Sequence, residues 1–243
     1  MHSIERAFAI LDALRSGPAR VTDLARRVDL PKSTVARLLA TLQSVGAVER
    51  DPDGVRYRAC REWAQSAGPG GGIETIVAMA RPSLVGLVER LGESAGLSVP
   101  DGYLAHYVAQ VDSGNPVQVR DWTGERIPMH AVSSGLVFLA DLPREALSDF
   151  LRHPLSEFTS HTVTSPAQLR RRLQQVRADG YAWVEEEFAE GINSVAAPVR
   201  RVDGRTLAAL HVHGPSYRFP GRRARAASNQ VVAAADALSA QLT

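Results

Sequence analysis

The sequence predicts an α+β protein of two domains, and three observations carry that expectation. Short amphipathic helical segments occupy the first 45 residues and run into a hairpin. A Gly/Pro cluster at 68–72 interrupts the chain. The remainder mixes helical segments with strand-like runs joined by Asp-Gly turns, the pattern of an antiparallel sheet covered by helices.

Ser3 to Leu14 places Ile4, Ala7, Phe8, Leu11 and Leu14 at helical spacing, with Ser3 as N-cap and Ser16-Gly17-Pro18 as the stop. Thr22 is expected to cap a second helix, Asp23 to Val28, whose inner face is Leu24, Ala25 and Val28. Asp29-Leu30 makes a turn, and Pro31 suits the first position of a third helix. That helix carries the stripe Val35, Leu38, Leu39, Leu42 and Val45 and stops at Gly46. Ala47–Arg50, the turn Asp51-Pro52-Asp53-Gly54 and Val55–Arg58 read as a β-hairpin. Three short helices, a tight turn and a hairpin make a winged helix-turn-helix.

Arg61–Ala67 reads as a short helix, and Gly68-Pro69-Gly70-Gly71-Gly72 as a linker. The expected divisions are residues 1–60, a connection over 61–73, and residues 74–243. Glu74–Leu91 is a long amphipathic helix around Ile76, Met79, Ala80, Leu84, Leu87, Val88 and Leu91, with Pro82 inside it. Strands are expected at Leu97–Val99, Tyr103–Val111 and Val117–Trp122, and again at Tyr181–Glu186, Ser194–Arg200 and Leu207–His213. Ser133–Ala140, Arg144–Leu151, Ala167–Arg177 and Arg222–Leu242 read as helices.

Composition narrows the function classes. With 44% hydrophobic and 22% charged residues, the 243-residue chain buries a real core, and wholesale disorder is excluded. No window approaches about 18 uninterrupted apolar residues, and the N-terminus lacks an apolar leader, so a cytoplasmic protein is expected. The single cysteine, Cys60, excludes an internal disulfide framework and a cysteine zinc site. Net charge is only +2, but residues 1–60 hold ten Arg/Lys against seven Asp/Glu, with Lys32 the one lysine of the chain. This balance permits a polyanion partner without demanding one.

Several segments, taken in order, resemble IclR-type transcriptional regulators along essentially the whole chain. They are Ser3-Ile4-Glu5-Arg6-Ala7, the run Leu24 to Leu39 through Pro31-Lys32-Ser33-Thr34, Ile127-Pro128-Met129-His130-Ala131, Gly180-Tyr181 through Gly191, Val195–Val199 and His213-Gly214-Pro215. The resemblance implies a DNA-binding winged helix joined to a GAF-like, PAS-related effector-binding and oligomerisation domain. It also implies a homodimer or dimer of dimers on an inverted-repeat operator, with no cofactor. The chain departs from the family pattern at Asp29, where Gly is frequent, at the loose run 68–72, and at His211 and His213, which replace two small hydroxyl residues.

The third helix offers Lys32, Ser33, Thr34 and Arg37 opposite its apolar stripe, placing hydroxyls and N–H groups for phosphate and two long cations for guanine edges. Arg56 and Arg58 alternate along the second hairpin strand and reach for the backbone or minor groove. By the resemblance, the loop Ser133-Ser134-Gly135 with Ile192, Ser194, His211 and His213 faces a small organic-acid or aromatic effector. Ser133 and Ser134 open a helix, where hydroxyls and free N–H groups suit a carboxylate, and residues 211 and 213 share one strand face. The plainer alternative makes Ser133 an N-cap and the histidines packing groups. Imidazoles near their ordinary range would strengthen binding of an acid as pH falls from about 8 to 6. A rival reading is a metal sensor or metal-dependent enzyme built on His211, His213 and His130 or Glu185. The sequence offers no Gly-x-Ser-x-Gly elbow, phosphate-binding glycine loop or His-Glu-x-x-His, so an enzyme is not expected.

Overall fold

A computed structural model describes residues 2–14, 17–51, 54–60, 73–219, 221 and 224–242. The expected helix 61–67, the Gly/Pro run 68–72, and Pro52 and Asp53 of the hairpin turn lie outside the described residues. The chain divides into two compact units, Met1–Ile76 and Val77–Thr243.

The first unit contains α1 (His2–Leu14), α2 (Val21–Arg27), α3 (Lys32–Ser44) and a hairpin of β1 (Val48–Arg50) and β2 (Tyr57–Ala59). Its core joins Ile10, Leu11 and Leu14 to Leu24, Val35, Leu39, Leu42, Val48 and Tyr57. Tyr57 also exchanges two 2.9 Å backbone hydrogen bonds with Ala19, tying the hairpin to the α1–α2 connection. Three local expectations change. Ser3 and Thr22 lie inside helices that begin earlier, and α2 starts after Arg20 without a side-chain cap. Val45 is 64% exposed, because α3 ends at Ser44 and Gly46, at φ +73°, turns the chain away. Asp29 takes φ +49° in the α2–α3 turn, a left-handed conformation that Asp tolerates better than a branched residue does.

The second helical run is α4 (Ile73–Leu91), which retains Pro82 and buries Ile76, Ala80, Leu84 and Leu87. Six antiparallel strands follow in the spatial order β5-β4-β3-β8-β7-β6. These are β3 (Ser94–Asp101), β4 (Leu104–Val111), β5 (Arg126–Pro128), β6 (Ala182–Glu185), β7 (Ile192–Arg200) and β8 (Thr206–Pro215). The expected strand Val117–Trp122 is irregular, and the three-residue β5 pairs with the start of β4 instead.

Helices α5 (Ser133–Asp141), α6 (Arg144–Phe150) and α7 (Pro166–Asp179) build a core against one sheet face through Tyr107, Val184, Ala196 and Ala209. Val195, Ala197, Val199, Leu210 and Val212 are buried at the alternate positions, where α8 (Ala224–Ser239) packs along β7 and β8. Coverage on both faces explains why β8 reads as an almost continuous apolar run. Against that background His211 and His213 stand out.

Candidate functional site

The expected site residues fall into two sets, one in each unit. On the first unit, α3 turns Val35, Leu39 and Leu42 inward and leaves Lys32, Ser33 and Arg37 exposed, with Thr34 half-buried. Neither Lys32 nor Arg37 forms an ion pair with a described residue. The wing is different. Arg56 pairs with Asp51 at 3.0 Å, and Arg58 with Glu49 at 3.0 Å and with Asp51 at 3.9 Å. Arg56 precedes β2, so the expected alternation along one strand holds only for Arg58. Phosphate approaching the wing must therefore compete with two carboxylates, while Lys32 and Arg37 on α3 have no ion-pair partner among the described residues.

The second set centres on a cavity of about 30 Å³ inside the second unit. Its lining includes Ile192, Ser194, His211 and His213 of the expected set, together with Tyr107, Trp122 and Phe188. Both histidines point to one face of β8, as their two-residue spacing requires, and their rings stack with centroids 5.6 Å apart. Tyr107 meets the His211 ring edge-on at 4.8 Å, and Ser98 Oγ lies 3.3 Å from His211 Nδ1. The Nε2 atom of each imidazole is buried without a hydrogen-bond partner. Burial drives His211 well below the usual histidine range, with His213 adding to it. Burial likewise lowers His213 to about 4, against the pull of Asp112 and Asp121. Burial thus favours the neutral form of both rings, unlike the imidazoles near their ordinary range that the sequence led one to expect. The Tyr107 phenol is pushed up to about 12 by burial, a contact with the Ser134 hydroxyl opposing the shift.

Ser133, Ser134 and Gly135 are not among the lining side chains. They form the buried first turn of α5, and the N-cap position belongs to Val132, which does line the cavity. Gly135 has a packing role, since a Cβ there would come within 2.2 Å of the Met129 carbonyl oxygen. Ser134 reaches the cavity only through its contact with Tyr107.

Sequence reasoning missed Gly96, Tyr107, Trp122 and Phe188. Gly96 lies opposite His211 on β3, and a Cβ on it would stand 2.5 Å from the imidazole Nε2. A glycine within a strand is the available signal for such close approach. Phe188 projects from a loop anchored on both sides. Glu186, at φ +54°, accepts a 2.7 Å hydrogen bond from Gly191 N, and the buried Glu187 takes two bonds from Arg172 Nη1 at 2.5 and 2.6 Å. Trp122, Phe188 and Phe158 then form a chain of ring contacts at 5.7 and 5.0 Å over this side of the cavity.

The metal reading loses its remaining ligands. His130 gives Nε2 to the Ser156 carbonyl oxygen at 2.8 Å. Glu185 accepts from Trp183 Nε1 at 3.0 Å and alternates with Val184, which faces the cavity. Among the described residues no three His, Cys, Asp or Glu side chains gather as a metal site.

Known protein families match the chain in both of its units. Residues 3–52 match the model of the IclR helix-turn-helix domain, and residues 73–240 match that of the bacterial transcriptional regulator IclR C-terminal domain. The HTH-type transcriptional regulator BhcR of Paracoccus denitrificans is 33% identical over 98% of this chain and 86% of its own length. The crystal structure of the Thermotoga maritima IclR is 25% identical, with a TM-score of 0.66 over 100% of this chain and 99% of that one. An IclR homologue from Microbacterium hydrocarbonoxydans, crystallised with 4-hydroxybenzoate, is 26% identical, with a TM-score of 0.64 over 99% and 98% of the two chains. A helix-turn-helix DNA-binding domain and a C-terminal effector-binding domain are thus both present, and the chain belongs to the IclR family of transcriptional regulators.

Proposed function

We propose that this regulator binds an inverted-repeat operator as a homodimer or dimer of dimers in the cytoplasm, and that a small aromatic acid is its effector. The reading divides the chain at 60 and 74, with DNA contact through Lys32, Ser33, Thr34 and Arg37 and effector contact in the histidine cavity. Residues 74–243 also carry the oligomer contacts in this reading.

One observation carries the effector class: Tyr107, Trp122 and Phe188 wall a cavity whose polar groups are two neutral imidazoles and Ser194. Aromatic walls match a ring, and two buried Nε2 atoms without partners match a ligand that donates or accepts a hydrogen bond there. The homologue crystallised with 4-hydroxybenzoate supports the same class. A cavity of about 30 Å³ is too small for a ring, since benzene occupies engineered cavities on the order of 150 Å³. The Trp122–Phe188 side must therefore move when the effector enters, and that displacement is the source of a population shift.

The test is a mobility-shift titration on the DNA flanking the gene, with and without 4-hydroxybenzoate, for the parent and for Lys32→Ala/Arg37→Ala. The parent should shift a discrete fragment, the effector should change its affinity, and the variant should lose the shift. An unchanged shift with the variant rejects the DNA assignment. Identical titrations with benzoate, 4-hydroxybenzoate and acetate reject the aromatic reading.

A further inference from the structure

A second cavity, distinct from the histidine pocket, lies where the end of α5 meets α6, α7 and the end of β7. It measures about 850 Å³, within the range of small-molecule sites. Four arginines line it: Arg144 from α6, Arg170 and Arg177 from α7, and Arg200 from β7. Asp141 is the single carboxylate among the lining residues. Both of its oxygens are engaged, by Arg200 Nη1 and by Thr206 N, each at 2.9 Å. Arg177 is steadied through Nε by the Ala140 carbonyl at the end of α5. Arg144 and Arg170 form no ion pair with a described residue.

The groove is thus a concavity with three guanidinium groups beyond the one that Asp141 neutralises. A row of exposed arginines on a convex helix face would be ordinary solvated charge. Here residues 170, 174 and 177 share one face of α7, so Gln174 adds an amide between two of the cations. The concave wall concentrates their field, and guanidinium forks match phosphate and carboxylate oxygens bidentately. Beneath them Val137, Leu142 and Pro198 supply an apolar floor. A simple inorganic ion would use the rim and leave that floor unsatisfied.

We infer that this groove binds a small, multiply charged organic anion with an apolar body, a phosphate ester of nucleotide size being the best match. It is a second ligand site on the same domain, independent of the effector cavity. The test is calorimetry of the full chain at 0.15 M NaCl, on the order of physiological ionic strength, with adenosine triphosphate, inorganic pyrophosphate and citrate as probes. The nucleotide should bind more tightly than pyrophosphate, because only it covers the floor. Arg144→Ala/Arg170→Ala should weaken nucleotide binding roughly ten-fold or more, as expected when charge-assisted hydrogen bonds are lost. Arg225→Ala, an exposed cation on α8, is the control for general charge and should change nothing. Full affinity in the double variant, an equal loss in Arg225→Ala, or equal affinity for nucleotide and pyrophosphate overturns the inference. So does sedimentation showing that the double variant dissociates the oligomer without any probe present, which would make the groove an interface between copies.

Discussion

Lys32 and Arg37 differ from the wing arginines in having no carboxylate partner among the described residues, so the DNA contact proposed for α3 meets no competition from them. Either substitution to Ala should remove about 1–3 kcal/mol of operator discrimination while changing stability by no more than about 0.5 kcal/mol. Fluorescence anisotropy beside urea melts checks both halves, and a large loss of stability would show the side chains to be structural. His211 and His213 make the opposite kind of prediction, about stability rather than binding. Burial holds His213 at about 4 in the folded chain and His211 well below its ordinary value, so below pH 6.5 the unfolded state takes up protons that the folded state refuses. Their contribution is complete above pH 6.5 and declines as pH falls below it, for His213 until about pH 4. The melting temperature should therefore drop between pH 7 and pH 5, and His211→Gln/His213→Gln should flatten that slope. For the same reason, effector affinity in the parent should be nearly level from pH 8 to 6. A rise of several-fold over that interval would mean that the bound anion protonates the pair.

At the scale of the element, α5 decides whether the cavity has a wall. The helix is buried throughout Ser133–Ala140, and its first turn closes on Met129 so tightly that Gly135 leaves no room for a methyl group. Gly135→Ala should cost about 1–3 kcal/mol by overpacking against backbone, despite the better helix propensity of Ala. Urea unfolding checks this, and a neutral result would mean that the 129–131 turn is free to shift. The sequence marks this helix by its apolar content, yet the glycine reads there as part of a ligand loop, because the turn it packs against precedes it and leaves no periodic trace. Patterns with their own period were legible: Val35, Leu39 and Leu42 on α3, and the common face of residues 211 and 213. Patterns needing a distant partner were not. Val117–Trp122 alternates like a strand, but β5 takes the start of β4, and Arg120 stacks over the Trp122 ring at 4.1 Å in an irregular segment. Trp122 and Phe188 reach the cavity from such segments, so neither had a spacing to announce it. Neutrality of the histidines depends on burial by Tyr107 and the sheet, which no local window contains.

For the whole molecule, regulation requires that effector and operator be linked, and linkage is reciprocal. If the effector changes operator affinity by some factor, saturating operator must change effector affinity by the same factor, because both paths lead to the same ternary state. The two proposed sites are chemically unlike, which makes the equality a demanding check. Operator binding through Lys32, Arg37 and the helix start, as proposed, would release counterions and should weaken steeply with salt. Effector binding in the proposed cavity, among imidazoles that burial keeps neutral and aromatic rings, should respond to salt far less. Calorimetry of 4-hydroxybenzoate with free protein and with protein saturated by operator, repeated at about 0.1 M and about 0.3 M salt, between which the screening length shortens, separates the terms. The coupling factor should agree in both directions at each salt concentration, within the usual allosteric range of about 5–150-fold. An effector whose affinity is unaffected by operator contacts a cavity that does not distinguish the two states of the regulator. In that case the movement of Trp122 and Phe188 admits a ligand without transmitting its presence.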